Sequence, residues 1–196
     1  MLPLILGLLL FFAVHLVPTS PSLRNGLVER FGVVAYRVGF AVLSLAGFAL
    51  IVLGYHKLQI MPGKNPVLWD PPSWTRHMAF LLMLPAMILL VAAFVPSRIR
   101  TAVKHPMLAA IKAWALAHLL VNGDLGSLVL FGAFLAFAVY DRISIKHRVV
   151  TVPPSPPGFT NDVLVLVGGL ALFAVMLFWG HGALIGVPLV SSGSAL

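Results

Sequence analysis

The chain has 196 residues, of which 60% are apolar and only 9% charged. A soluble domain needs about 25% charged residues to cover its water-facing surface, so an ordinary soluble enzyme and a disordered chain are both excluded. Thirteen Lys and Arg stand against five Asp and Glu, but they sit in ones and twos between apolar blocks. That excludes a nucleic-acid-binding face and matches the loop charge of a membrane protein. With no cysteines, any metal or cofactor must be held by His, Asp, Glu, Met or Tyr.

A bilayer core of about 30 Å takes roughly 20 apolar residues in a helix. Six runs approach that length: Leu2 to Val17, Val38 to Tyr55, Met78 to Val95, Met107 to Val121, Leu125 to Tyr140 and Val163 to Val187. The expected fold class is therefore all-α, an integral membrane helical bundle of about six transmembrane helices. No positive residue precedes the first run, and Val17-Pro18-Thr19-Ser20 is not a small-x-small cleavage site. The run reads as a span and not a signal peptide. After it, Leu23, Leu27, Val28 and Phe31 fall at helical spacing against Arg24 and Arg30, which predicts a short amphipathic helix at the interface. Trp69 and Trp74, around Pro71-Pro72, are expected interfacial anchors. Asn122-Gly123-Asp124 predicts a tight hairpin between the fourth and fifth spans. By organisation, residues 1–148 form a five-span domain, 149–162 a Pro-rich linker, and 163–188 an additional C-terminal helix, expected to pack less tightly.

Loop charge sets the orientation. Alternating the spans puts Arg24, Arg30, Arg37, Arg98, Arg100, Lys104, Arg142, Lys146 and Arg148 on one side. Lys57, Lys64 and Arg76 lie on the other. Nine against three assigns the first side to the cytoplasm of a multi-pass protein, with a bacterial inner membrane as the expected location.

Ionisable residues inside apolar runs need a partner, a cavity or a ligand. His15 lies in the last turn of the first span, and Lys112 and His118 lie inside the fourth. Each histidine is either a neutral imidazole bonded to a neighbouring helix or a metal or haem ligand. His118 and Asn122 share a helix face with Trp114, a surface that suits a flat ligand or ordinary aromatic packing. His105 opens the fourth span before Pro106, as a cationic helix entry or a weak anion site. Arg37 is a snorkelling anchor or a partner for an anionic group such as a propionate. His56, His77, His147 and His181 lie at span ends or in loops and read as interfacial.

These residues together carry a resemblance. His15 in an apolar first span, Leu23-Arg24, Gly32 followed by Tyr36-Arg37, Tyr55-His56, Lys104-His105-Pro106 and Ala117-His118 resemble the NnrU family. That family is named for an association with nitrite and nitric oxide reduction, and it shares a domain with plastid 15-cis-zeta-carotene isomerase. The resemblance covers roughly residues 1–148. It implies haem b held by His15 and His118, with His56 matching a third family histidine; Arg37 and His105, by their own positions, are the further cofactor-binding candidates. It implies a role in nitrogen-oxide metabolism or cis–trans isomerisation of a polyene, with membrane lipids and a polyene or nitrogen-oxide ligand as partners. His15 is followed by Leu16-Val17-Pro18 where the isomerase has Gly-Leu-Ala, and Lys104 replaces an Arg before His-Pro. The alternatives are a non-catalytic partner of denitrification enzymes and, from His105-Pro106, an isoprenylcysteine-type methyltransferase. Depth complicates the His15–His118 pair. At ~1.5 Å per residue the two differ by about 10 Å in upright helices, and His105 is the alternative partner for His15.

Overall fold

The computed structural model describes residues 1–61, 63–148, 154 and 158–190. The chain is almost wholly helical: α1 (Leu2–Leu16), α2 (Pro21–Phe31), α3 (Val33–Ile60), α4 (Thr75–Ala92), α5 (Arg98–Val103), α6 (Pro106–Val121), α7 (Leu125–Ser144), α8 (Thr160–Val175) and α9 (His181–Ile185). A π-helical turn, Met176–Gly180, joins the last two. Among the described residues five segments are long and apolar enough to cross a membrane, while α6, at 16 residues, is shorter. The chain is a multi-pass membrane helical bundle, and all six expected runs are helical. α3 overruns its expected limits at both ends because its polar ends continue the helix into the interfaces. The short helix expected after the first span is present as α2, and it buries none of its residues against the bundle. Most of the Pro-rich linker expected over 149–162 lies outside the described residues.

Lipid is as apolar as leucine, so helices in a membrane associate through close backbone approach. α1 runs against α3 on such a seam. A Cβ at Gly7 would come within 2.6 Å of the Ile51 amide nitrogen, and one at Gly47 within 2.9 Å of that of Phe11. A Cβ at Gly54 would collide with the backbone of Leu4. α6 packs between α4 and α7, and α8 lies along α4. There Gly169 abuts Ile88, whose Cα would be 2.6 Å from an added Cβ. The last helix, expected to pack loosely, is the least buried of the five long spans. Its end nevertheless folds back onto α3, where the His56 Nδ1–H donates to the Leu184 carbonyl at 3.3 Å.

The two ends of the bundle differ. At one end Arg148 pairs with Asp141 and donates to the Pro18 carbonyl at 2.9 Å, tying the end of α1 to the end of α7. Asn161 there donates to the Pro96 carbonyl at 2.7 Å, and Arg98 lies 4.0 Å over the Phe159 ring. The loops carrying the nine basic residues thus gather together. At the other end the loop before α4 lies on the α6–α7 turn: the Leu68 amide donates to the Gly123 carbonyl at 2.7 Å and that of Leu125 to the Pro66 carbonyl at 3.0 Å. Gly123 has no room for a side chain, because a Cβ would meet the Trp69 carbonyl. If the basic end is cytoplasmic, a membrane-impermeant thiol reagent will label Lys64→Cys and spare Arg98→Cys in intact cells, with no native thiols as background. Labelling at 98 alone would invert the orientation.

Candidate functional site

Near the end opposite the basic loops, a cavity of ≈ 220 Å³ lies between α3, α6, α7 and the last segment. Trp114, His118 and Asn122, one turn apart on α6, all line it, so the face read from their spacing is a cavity wall. A backbone ladder fixes them. The His118 Nδ1–H donates to the Trp114 carbonyl at 2.8 Å, and the Asn122 Nδ2–H to the His118 carbonyl at 2.9 Å. The imidazole also stacks on Phe131 of α7, with ring centroids 4.4 Å apart. Its Nε2 has no hydrogen-bond partner among the described residues. A metal-binding histidine almost always carries this arrangement, one ring nitrogen donating to a carbonyl or carboxylate and the other left for the metal.

His181 completes the wall from the other side. The π-helical turn sets the register so that its ring lies parallel to that of His118, 6.3 Å away and inclined by 14°. The His181 Nδ1–H donates to the Val187 carbonyl at 2.6 Å. Extra-wide turns of this kind recur at functional sites because they re-aim side chains. By sequence alone His181 is one more interfacial histidine; no local pattern relates it to His118, 63 positions earlier.

A polar chain reaches the same cavity from the loops. The Ser127 hydroxyl donates to Asp124 Oδ2 at 2.6 Å, so the Tyr55 hydroxyl, 2.7 Å from Ser127 Oγ, is the donor in that pair. Asp124 Oδ1 accepts from the Ser127 amide at 2.8 Å and from Asn65 Nδ2 at 2.5 Å. Tyr55 is 5% exposed and Ser127 fully buried. One turn along α3 from Tyr55, Gln59 lines the cavity with its Nε2 buried and without a partner. An unsatisfied buried donor is costly, and the nearest polar group to it is the Tyr55 hydroxyl. Nothing in the sequence marks Tyr55 and Gln59, because they sit at the end of an apolar run, where interfacial wetting already accounts for polar side chains.

His15 lies elsewhere. Its Nδ1–H donates to the Phe11 carbonyl at 2.8 Å, the same arrangement as in His118. Its ring stacks on Phe11 at 3.9 Å and sits near Phe40 and Phe137. It does not line the cavity. α7 measures the offset: His118 sits on Phe131 and His15 against Phe137, a rise of about 9 Å at ~1.5 Å per residue. Phe11, Phe134 and Trp114 form a chain of touching rings between the two. Arg37 is exposed in the second turn of α3, and Lys112 is half-buried partway along α6. His105 stands at the start of α6. Partial burial holds its pKa below the usual imidazole value, and the Arg142 charge adds to that. Neither Arg37 nor His105 reaches the cavity.

Fold and site together define a multi-pass α-helical membrane protein that encloses a histidine-lined cavity. The family model described as NnrU protein matches residues 3–189. The chain therefore belongs to the NnrU family, and the match runs past residue 148 through the last helix. No curated protein and no solved structure gives a significant match.

Proposed function

We propose that this NnrU-family protein binds haem b in the membrane, with His118 as an axial ligand, and serves nitrogen-oxide metabolism. The observation that carries the reading is the His118 imidazole itself, fixed through Nδ1 to the Trp114 carbonyl in an aromatic cavity. The donor chemistry suits the group. Among the described residues no three His, Cys, Asp or Glu side chains converge as a metal site, and a tetrapyrrole brings four ligands of its own. Imidazole supplies the axial position that tunes a haem. Gln59 Nε2 is a donor for a carboxylate or carbonyl on the bound group.

A cavity of ≈ 220 Å³ is smaller than the roughly 300–1,000 Å³ usual for drug-sized ligands. Binding a tetrapyrrole requires lining side chains to yield. Met176 and Leu184 line the cavity with no side-chain hydrogen bonds to lose, and methionine adapts readily. Haem supplies redox and ligand-binding chemistry when bound; the chain excludes water, fixes the imidazole and offers the Tyr55–Ser127–Asp124 hydroxyl chain at the cavity edge.

The test is an absorption spectrum of detergent-purified protein, oxidised and reduced. A Soret band that His118→Ala removes or shifts, and that His105→Ala leaves in place, is the expected result. A protein that stays colourless after haemin is added would reject the reading and leave the non-catalytic membrane partner.

A further inference from the structure

We propose that the groove between α1 and α7 holds one acyl tail of an anionic phospholipid, with the headgroup at the basic end of the bundle. The groove measures ≈ 420 Å³ and runs along α1 from Ile5 to Leu16, with Val129 and Ala133 of α7 as its other wall. Every side chain that lines it is apolar. It exists because the glycine seam draws α1 onto α3, where Gly7 and Gly47 leave no room for a Cβ. α1 then meets α7 through large rings, Phe12 against Phe134 and Phe137, with centroids 5.0 Å apart in both pairs. Rings of that size hold the two backbones apart, and the small side chains of Ala13 and Ala133 leave the gap beside them unfilled.

Length and width select the occupant. Leu16 stands about 16 Å from Ile5 along the helix, at ~1.5 Å per residue. That is half of a hydrocarbon core of about 30 Å, the reach of a lipid tail from one leaflet. A volume of ≈ 420 Å³ drawn out over that length is about 5–6 Å wide, against about 10 Å for a helix with its side chains. The groove takes a hydrocarbon chain and is too narrow for a helix of a second copy.

Charge selects the headgroup. The α7 face that carries Val129 and Ala133 continues, in steps of three and four residues, to Tyr140 and Ser144. Both meet the end of α1: Tyr140 Oη lies 3.3 Å from Thr19 Oγ1, and the Ser144 hydroxyl donates to the Thr19 carbonyl at 3.4 Å. Tyr140 is half-exposed, an amphipathic ring at the headgroup level. Lys146 and His147 are exposed in the turn that follows. Asp141 is the acidic side chain at this rim, and Arg148 already pairs with it. Among the described residues Lys146 has no such partner, so the rim keeps positive charge beside three hydroxyls. Basic pockets of this kind between transmembrane helices suit anionic headgroups, whereas a zwitterionic headgroup brings a cation of its own to the same place.

The experiment uses the full chain, delipidated in detergent and titrated with phosphatidylglycerol or phosphatidylcholine of identical acyl chains. Bound lipid is counted by native mass spectrometry, and thermal melts follow the stabilisation that a bound ligand confers. The wild-type protein should retain phosphatidylglycerol several-fold more than phosphatidylcholine, with a melting temperature that rises with the former. Leu9→Trp fills the groove from an exposed position of α1, so it should fold and lose both lipids; Ala133→Phe, from the other wall, should do the same. Lys146→Glu with His147→Glu should erase the preference between headgroups. Equal retention of the two lipids by the wild-type chain overturns the proposal, as does full retention in both groove-filling variants or a preference that survives the charge reversal. A wild-type dimer that Leu9→Trp dissociates would give the groove to a second copy instead. No readout involves haem, so a failed haemin titration leaves the lipid site standing, and a failed lipid titration leaves the haem reading standing.

Discussion

Gly54→Leu should abolish the folded, monodisperse protein. Gly54 lies where α3 crosses the start of α1, and even a Cβ there would collide with the Leu4 backbone. A flexible neighbour could swing away, but a helix backbone can move only as a whole. Overpacking a core costs typically 1–3 kcal/mol when side chains can adjust; with backbone as the obstacle we expect at least about 3 kcal/mol. Leu4 and Leu8 would also leave the cluster they form with Ile51, Tyr55 and Phe131. Tyr55 and Phe131 are cavity residues, so the site should be lost with the seam. Gly39→Leu is the control, on the same helix with nothing within 4 Å of an added Cβ. Size-exclusion profiles and thermal melts of the two variants give the comparison. Equal behaviour would mean that α1 does not cross α3 at Gly54.

Asp124→Ala should lower stability by roughly 2–4 kcal/mol, because several charge-assisted hydrogen bonds vanish together. The carboxylate caps α7 through the Ser127 amide, and such caps alone are worth about 0.5–2 kcal/mol. It also accepts from the Ser127 hydroxyl and from Asn65, whose own Oδ1 holds the Gly126 amide at 2.8 Å. Removing it strands donors in a buried region and frees the Tyr55 hydroxyl to turn. The melting temperature should fall as the Tyr55 edge of the cavity relaxes. A double-mutant cycle with Ser127→Ala should be strongly non-additive, since both residues belong to one network. Additive effects would show that the network is not coupled.

The amino-acid sequence by itself determined the solvent, the element type and the ends. Apolar run length measures a helix against a bilayer, and that comparison needs no neighbour, so all six helical runs were legible. Charge in short loops is equally local, and the nine basic residues do gather at one end. Pro106 at a helix start and Gly123 in a hairpin follow from backbone chemistry within a few residues. The Trp114–His118–Asn122 face was legible for the same reason, because i and i+4 positions align on any helix. Which faces meet was not legible. In a membrane nearly every face is apolar, so hydrophobic pattern does not distinguish helix from lipid, and backbone proximity at Gly7, Gly47, Gly54 and Gly169 decides instead. The site depends on those meetings. Only tertiary packing, with one π-helical turn, lays His181 beside His118 and leaves His15 about 9 Å further along the bundle, six residues of α7 at ~1.5 Å each.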